Sequence, residues 1–528
     1  MTGPPSPENP GTPPTGAAGA VRKRAARTRQ PARRLWLWLP WALAGTVLFG
    51  WAGFRWRARA ASAEVRSLAV LPLVDLSPQK NDAWFSSGIA GEIIDALTRL
   101  PGLRVAARTS AFQFQGNARD ISQIGRQLGV AAVLEGNLRK AGGRLRITAQ
   151  MIRAADGYHL WSQTFDVPAR DVIPLEQEIA AAVAHRIRIP SSRPGAHRHQ
   201  PPEQAYRAYL RGRDSIDRPE SGALDKAVKR FEEATAIDPE FALAWAWLSI
   251  AREYRVDAGM ARPNQAMPGS RDAAERAVAL DPGCGEAHLA LGIVKLQYDW
   301  DWAGANQQFD QALRSIPGSA LAARWRAHWF ETQGRADEAI AEIGRALSLD
   351  PLSSVTLGDA AQLYLSVNQP ERALPFAQKA VEICPGDGTA RAALAGALWL
   401  AGQKEKSRQM VEELRQSPTA AKVSAYVLAY LSAQQGDPSG ARQLLDEAED
   451  LPDDQPTPAT VFARLAAVAG NWDRFFSWIG EAYDERDIRL PYLLSGLDVP
   501  LQMPPDLPKS DPRFAAFLDR MNLPPPAK

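Results

Sequence analysis

A proline recurs through the second half of this chain at a nearly fixed interval. It stands in Ala-Ile-Asp-Pro239, Ala-Leu-Asp-Pro282, Ser-Ile-Pro317, Leu-Asp-Pro351, Ile-Cys-Pro385 and Gln-Ser-Pro418, at spacings of 43, 35, 34, 34 and 33 residues. Other positions keep step with it. Five residues before the first five prolines stand Ala234, Ala277, Ala312, Ala346 and Ala380. Eight before stand Phe231, Ala274, Phe309, Ile343 and Ala377, and twelve before stand Ala227, Ser270, Ala305, Ala339 and Ala373. Small residues at fixed spacing let two helices approach closely, and an apolar residue beside them fills the gap between units. The Asp-Pro steps read as helix starts, with Asp238, Asp281 and Asp350 as N-caps and the proline at the first helical position.

A 34-residue period with two helices per unit is the tetratricopeptide signature. It predicts an all-α solenoid over residues 203–450. The one long interval, 43 residues, implies an insertion of about nine near Gly259–Gly269, expected as a loop between helices. Residues 451–528 open with the break LPDDQPTP and continue into a further helical pair around Gly470-Asn471-Trp472. The tail SDPRFAAFLDRMNLP resembles the closing helix of such arrays, expected to cap the last exposed apolar face.

Upstream, Leu35 to Phe54 reads LWLWLPWALAGTVLFGWAGF, twenty residues without a charge. That length spans a bilayer's hydrocarbon core as one helix. Trp36, Trp38, Trp41 and Trp51 lie toward its ends, where amphipathic rings favour the interface. Seven basic residues precede it and three follow closely, so the positive-inside bias predicts a cytoplasmic N-terminus and an extracytoplasmic remainder. The small-residue step Ala58-Arg59-Ala60 would suit a signal peptidase, but the apolar run exceeds the usual ~7–15 residues of a signal sequence. Residues 1–34 are Pro/Gly-rich and then basic; they are expected to form a disordered cytoplasmic arm that orients the anchor and touches anionic headgroups.

Residues 67–190 mix strand and helix patterns. Ser67–Leu76 is an apolar strand, Trp84–Leu100 a helix, and Leu103–Arg108 a short strand. Asp120 caps a helix ended by Gly129. Val130–Arg139 and Arg144–Arg153 form a hairpin around Gly142-Gly143, and a further strand follows Asp156-Gly157. A helix over Pro174–Ile189 closes the unit. The phrases SLAVLPLVDLSPQ, WFSSGIAGEIIDALTRLPGLRVAARTSAFQFQG, IGRQLGVAAVLEGNLRKAGGRLRITAQMI and ADGYHLWSQTFD resemble the TolB-like (FlgO-like) amino-terminal domain. In bacterial proteins that domain often precedes tetratricopeptide repeats, behind a winged-helix or adenylate-cyclase domain and a membrane helix. Here only about 34 residues precede the apolar stretch, and they carry neither domain's motifs, so the labels "transcriptional regulator" and "cyclase" do not transfer. Residues 191–202 form a linker.

The charge is unevenly placed. Residues 1–66 hold eleven Lys/Arg and two Glu, leaving the remainder net −6, which argues against nucleic acid as a partner. Cys284 and Cys384 lie three periods apart, too far for a disulfide in a stacked array. There is no phosphate loop, HExxH, CxxC or nucleophile elbow. His197 and His199 sit in a linker and make a poor metal site. Trp300, Trp302, Trp325 and Trp329 read as packing residues, and Asp75 with Ser77 is too little to define a site. The sequence therefore nominates no catalytic, cofactor-binding or metal residue, and no enzyme. It points to an anchored scaffold or sensor that binds a protein through the array. The alternative is an accessory transducer, related to membrane-bound transcription regulators, acting through a cytoplasmic partner.

Overall fold

The computed structural model describes residues 65–77, 83–114, 120–168, 171–189, 199–216, 222–415, 458–495 and 511–524, with four positions between 442 and 446. The arm 1–34, the apolar stretch 35–54, most of the linker 191–202 and residues 416–441 lie outside the described residues. None of the described helices is long and apolar enough to cross a membrane.

The first region is built on a mixed sheet. Strands β1 (Ser67–Val70) and β2 (Val74–Asp75) run parallel to β4 (Ala132–Ala141), with Leu68 opposite Ala132 and Val74 opposite Asn137. Pro72 falls between them; lacking an N–H it cannot join the ladder, so one apolar run becomes two strands. Strand β3 (Arg104–Val105) flanks β1, and β4, β5 (Arg144–Arg153) and β6 (His159–Pro168) form an antiparallel meander, giving the order β3-β1-β4-β5-β6. Gly142 and Gly143, both at positive φ, make the two-residue turn between β4 and β5.

Helix α1 (Ala83–Thr98) buries Phe85, Ile89, Ile93, Ile94 and Leu97 in one core with Leu145, Ile147 and Met151 of β5 and with Leu175, Ile179 and Val183 of α4 (Val172–Arg186). The strand expected over Leu103–Arg108 is only two residues long. At Arg108 the chain turns into a short helix, α2 (Arg108–Ala111), because Ala107 leaves the sheet and donates its N–H to Leu349 O in the repeat array. Helix α3 (Ile121–Leu128) starts at Asp120, which accepts from Ser122 N, and ends at left-handed Gly129.

The array consists of helical hairpins: α5 (Glu203–Ile216) with α6 (Ala223–Ile237), α7 (Ala242–Asp257) with α8 (Pro263–Leu280), and α9 (Gly285–Val294) with α10 (Trp302–Ser315). Then follow α11 (Ala320–Thr332) with α12 (Ala336–Leu349), α13 (Ser354–Ser366) with α14 (Pro370–Ile383), and α15 (Gly388–Leu400) with α16 (Lys404–Arg415). The recurring small and apolar positions fill the seams. All ten of the small residues at minus five and minus twelve are fully enclosed, as are Phe231, Ala274, Phe309 and Ala377. Burying a phenylalanine this way contributes ~1.5–3 kcal/mol.

Two expectations about the repeats fail. The Asp-Pro steps end helices rather than start them: Asp238, Asp281 and Asp350 are the C-cap residues of α6, α8 and α12, the first two extended. A residue before proline is pushed out of the helical region, and the carboxylates of Asp238 and Asp281 then accept from Glu240 N and Gly283 N to turn the chain. Capping of the next helix falls to later residues, such as Ser319 and Ser353, whose hydroxyls accept from Ala322 N and Thr356 N. The insertion near Gly259–Gly269 is also mostly helix: α7 and α8 run 16 and 18 residues, with Pro263 at the start of α8.

Beyond the break come α17 (Ala459–Val468), α18 (Trp472–Asp484), α19 (Leu490–Ser495) and α20 (Pro512–Arg520). The tail does not simply extend the stack. The Trp302 indole N–H donates to Met521 O (2.8 Å), so the closing segment folds back onto the third hairpin.

Candidate functional site: two polar junctions on the array

The first junction joins the α/β region to the first hairpins. Helix α5 lays Tyr206, Tyr209 and Arg213 against α1 and α4. Arg213 donates to Asp95 Oδ2 (2.9 Å) and Glu92 Oε1 (3.3 Å), receives support from the Tyr209 hydroxyl at 2.9 Å, and stacks 3.9 Å from the Trp247 ring centroid. The Tyr209 hydroxyl reaches Glu92 Oε1 at 3.0 Å, and the Tyr206 hydroxyl lies within 2.8 Å of both Glu176 oxygens. Burial raises the Glu92 carboxyl to about 7, against the pull of Arg213, and it raises Glu176 well above the usual range. Beside them opens a cleft with an empty volume of about 840 Å³, bounded by Glu92, Asp95, Arg99, Glu176, Phe241 and Leu243.

Further along, the α/β region touches the loops between hairpins. Arg99 pairs with Glu286 at 3.1 Å, and Gly318 N donates to Thr98 O. Thr109 and Ser110 both donate to the Asp350 carboxylate, while Leu352 N donates to Ser110 Oγ. Asp350 therefore serves the α/β region as well as its own helix end.

The second junction lies on the first helices of the hairpins, under the C-terminal segment. Arg324 and His328 of α11 both hold Asp359 of α13, and His328 Nδ1 also sits 2.6 Å from Glu331. The facing carboxylates of Asp359 and Glu331 overcome burial and raise His328 to about 10, while Arg324 and His328 hold Asp359 well below the carboxylate range. Glu253 of α7 is 1% exposed, and neither of its oxygens has a hydrogen-bond partner among the described residues. Over this face lie Arg486, stacked 4.3 Å from the Trp300 centroid, Arg489, which donates to Asp257 O, and Tyr492, edge-on to His328.

The residues singled out from sequence have structural jobs. Asp75 Oδ1 accepts from Ser77 N and Ser77 Oγ accepts from Lys140 N, which ties β2 to β4. His199 Nε2 lies 2.6 Å from Asp238; His197 is outside the described residues. Trp300, Trp302, Trp325 and Trp329 are all buried, and the Trp329 indole donates to Trp302 O. Cys284 and Cys384 are free, at the start of α9 and the end of α14. Among the described residues no group of three or more His, Cys, Asp or Glu could hold a metal. Sequence reasoning missed Glu92, Arg213, Glu253, Arg324, His328 and Asp359. One signal was available: Arg324 and Asp359 stand 35 residues apart, one repeat, on equivalent first helices.

Comparison with known proteins adds three findings. Residues 63–182 match the family model "HilA/YgeH-like transcriptional regulator, second domain"; this covers the segment whose phrases resemble the TolB-like domain, and the matching model bears the regulator name. A protein of Rhizobium meliloti (strain 1021) named "Putative adenylate cyclase 3" is 34% identical over 188 residues, 35% of this chain and 32% of the relative. This chain thus spans about a third of the length of that curated relative. Among solved structures, human IFIT1, a dimer with PPP-AAAA, overlaps 59% of this chain and 78% of its own at 16% identity and TM-score 0.43. A thermophilic TPR protein of Thermus thermophilus overlaps 37% of this chain and 99% of its own at 22% identity and TM-score 0.31. Residues 63–182 are thus similar to a regulator domain, and the hairpins behind them follow the period read from the sequence.

Proposed function

We propose that this chain is a membrane-anchored, extracytoplasmic scaffold or sensor that holds a polypeptide partner on its repeat array. One observation carries the reading. The seams consume the small and apolar residues, while Arg324 and His328 place charge on the first-helix face, beneath residues 483–495. A surface of that chemistry anchors peptide segments. The uncharged run Leu35–Phe54 and its basic flanks support a single-pass anchor in the cytoplasmic membrane, with the N-terminus inside and the basic arm on lipid headgroups. The negative balance of residues 67–528 favours a protein over a nucleic acid.

The test is capture of partners by the full-length chain in its membrane, with a reporter active only in the periplasm fused after Lys528. An active reporter and a captured protein released by Arg324→Glu support the reading. A silent reporter beside an active cytoplasmic one overturns the compartment. Turnover of a nucleotide with no captured protein replaces the scaffold with an enzyme. Dividing the chain between residues 190 and 203 is not a clean alternative, because it separates Arg213 from Glu92 and Asp95.

A second reading has its own support in the regulator-domain match and the cyclase-named relative. In it the chain is an accessory transducer, and the basic arm contacts a cytoplasmic partner. Cross-linking from residues 22–34 to a cytoplasmic protein, lost when those arginines are neutralised, would favour it.

A further inference from the structure

The C-terminal segment approaches the array out of sequence order. Residues 483–495 lie on α7 and α11 and on the chain between α9 and α10, while the hairpins nearer in sequence, α13 to α16, intervene along the chain. Its contacts resemble ligand recognition more than the sealing of an apolar end. Glu485 pairs with Arg262 at 2.6 Å, Arg486 stacks on Trp300, and Tyr483 packs 5.1 Å from the same indole. Arg489 donates to Asp257 O, Tyr492 meets His328, and Leu490, Leu493 and Leu494 are buried.

Among the described residues the fit has a fault at Glu253. Glu253 is enclosed between the array and the segment. It faces Asp257, Arg324 and His328 on the array side and Arg489 and Tyr492 on the segment side, yet neither carboxyl oxygen receives a hydrogen bond among the described residues. An unpaired buried polar group is destabilising, and a charged one more so. A permanent seal has no use for that penalty, whereas a stand-in that must leave does. Burial raises the carboxyl of Glu253 well above its usual range.

We propose that the first-helix face of α7 and α11, with the chain between α9 and α10, is a peptide-binding groove, and that residues 483–495 are its built-in occupant, displaced by a partner segment of the same kind. This deepens the scaffold reading and rests on it. The partner chemistry follows from the contacts. It is a short polypeptide stretch with arginines preceding a Leu/Tyr-rich turn of helix, and with one added hydrogen-bond donor that reaches Glu253. That donor removes the fault and lets the partner win over the tethered copy.

The experiment uses full-length chain in detergent micelles and a labelled synthetic peptide of residues 483–495. The variant Arg489→Glu places an acid beside Asp257 and Glu253 and releases the segment. Expected are faster hydrogen exchange in residues 486–495 and at least tenfold tighter binding of the peptide than to the unmodified chain. Trp302→Phe, which removes the hydrogen bond to Met521 O together with part of the buried ring, should shift both readouts the same way and less, and it serves if Arg489→Glu does not fold. Glu253→Gln supplies its own amide donor and should slow exchange in the segment and weaken peptide binding. Release of the segment with no gain in peptide binding overturns the groove. Faster exchange in Glu253→Gln overturns the stand-in argument, because the carboxyl would then be holding the segment. Binding of the peptide through its own copy in a second chain, seen as peptide-independent dimers of Arg489→Glu, overturns the displaced-partner form in favour of exchange between copies. A captured natural partner that the peptide fails to compete away leaves the scaffold reading standing and removes this one.

Discussion

The seams inside the hairpins and the junctions between distant parts are made of opposite materials. A seam is small and apolar: Ala227, Ala234 and Phe231, or Ala305, Ala312 and Phe309, closed on themselves with nothing polar to satisfy. A junction is charged and hydroxylated: Arg213 with Glu92, Asp95 and Tyr209, or Arg324 and His328 with Asp359. The seam couples residues within one repeat, so the chain can reuse it each period. The first junction couples residues over 100 positions apart, occurs once, and must specify one partner, which is where directional hydrogen bonds are useful. Losing a methyl from a seam leaves a small void. Losing one ion from a junction leaves the others buried and uncompensated, which is worse.

The largest expected effect therefore lies at the first junction. Arg213→Ala strands Glu92 and Asp95 and removes the stack on Trp247, and breaking a buried pair of this type costs ~3–5 kcal/mol. Chemical denaturation should show the loss in the α/β region and the first hairpins together. A loss confined to one of them would mean that the junction does not couple them.

The second junction sharpens the contrast through pH. His328 has a folded value raised from 6.5 to about 10, so its contribution is fully present below 6.5 and is lost as pH rises through about 10. Asp359 is depressed, so its contribution is present above its ordinary 3.8 and lost only in acid. Glu253, being raised, loses its contribution as pH rises above its ordinary 4.5. Urea midpoints should fall from pH 6.5 toward 10 in the wild type. His328→Gln should be less stable at pH 6.5 and should lose much of that slope, by less than Arg213→Ala loses outright, because Arg324 still holds Asp359. An unchanged slope in the variant would place the titration elsewhere.

The two materials also explain what could be read from the sequence. Period, seam positions and hairpin turns repeat, so Ala346 or Phe309 announces its environment by its neighbours one period away. Gly142-Gly143 and Asp120 likewise act within a few residues. The first junction has no such echo: Arg213 and Glu92 are 121 residues apart, and nothing local marks either as buried. The Asp-Pro steps misled for a related reason. Aspartate before proline suits a helix start as well as a stop, and only the fold shows that the proline ends α6, α8 and α12. The tail was read as a cap because caps follow arrays, while its docking on Trp302 depends on a contact 219 residues away.

Next in size are tests of the seams. A Cβ added at Gly212 would meet the ring of Phe231 at 2.6 Å, and one at Gly292 would meet Phe309 at 2.7 Å. Each glycine lies on a first helix and the phenylalanine on its partner, the same contact made twice. Gly212→Ala and Gly292→Ala should each lose ~1–3 kcal/mol by overpacking. Because neighbouring repeats couple most strongly, hydrogen exchange should rise chiefly in the hairpin that is changed. Equal loss of protection along the whole array would show that the units are not local.

The smallest effect has the opposite sign and isolates what the seam glycines do. Gly344 lies within α12, and a Cβ built there meets nothing within 4 Å. It has the same helical backbone as Gly212 without the facing ring. Glycine in a helix interior is less favourable than alanine by ~0.8–1.0 kcal/mol, because the freer chain loses more entropy on folding. Gly344→Ala should therefore raise the denaturation midpoint, by no more than that amount, and leave exchange in other hairpins unchanged. The comparison with Gly212→Ala then separates two roles of one residue type: at Gly212 the missing methyl makes room for Phe231, and at Gly344 it only loosens the helix. If Gly344→Ala instead loses as much as Gly212→Ala, close approach to a ring is not what makes the seam glycines costly to replace.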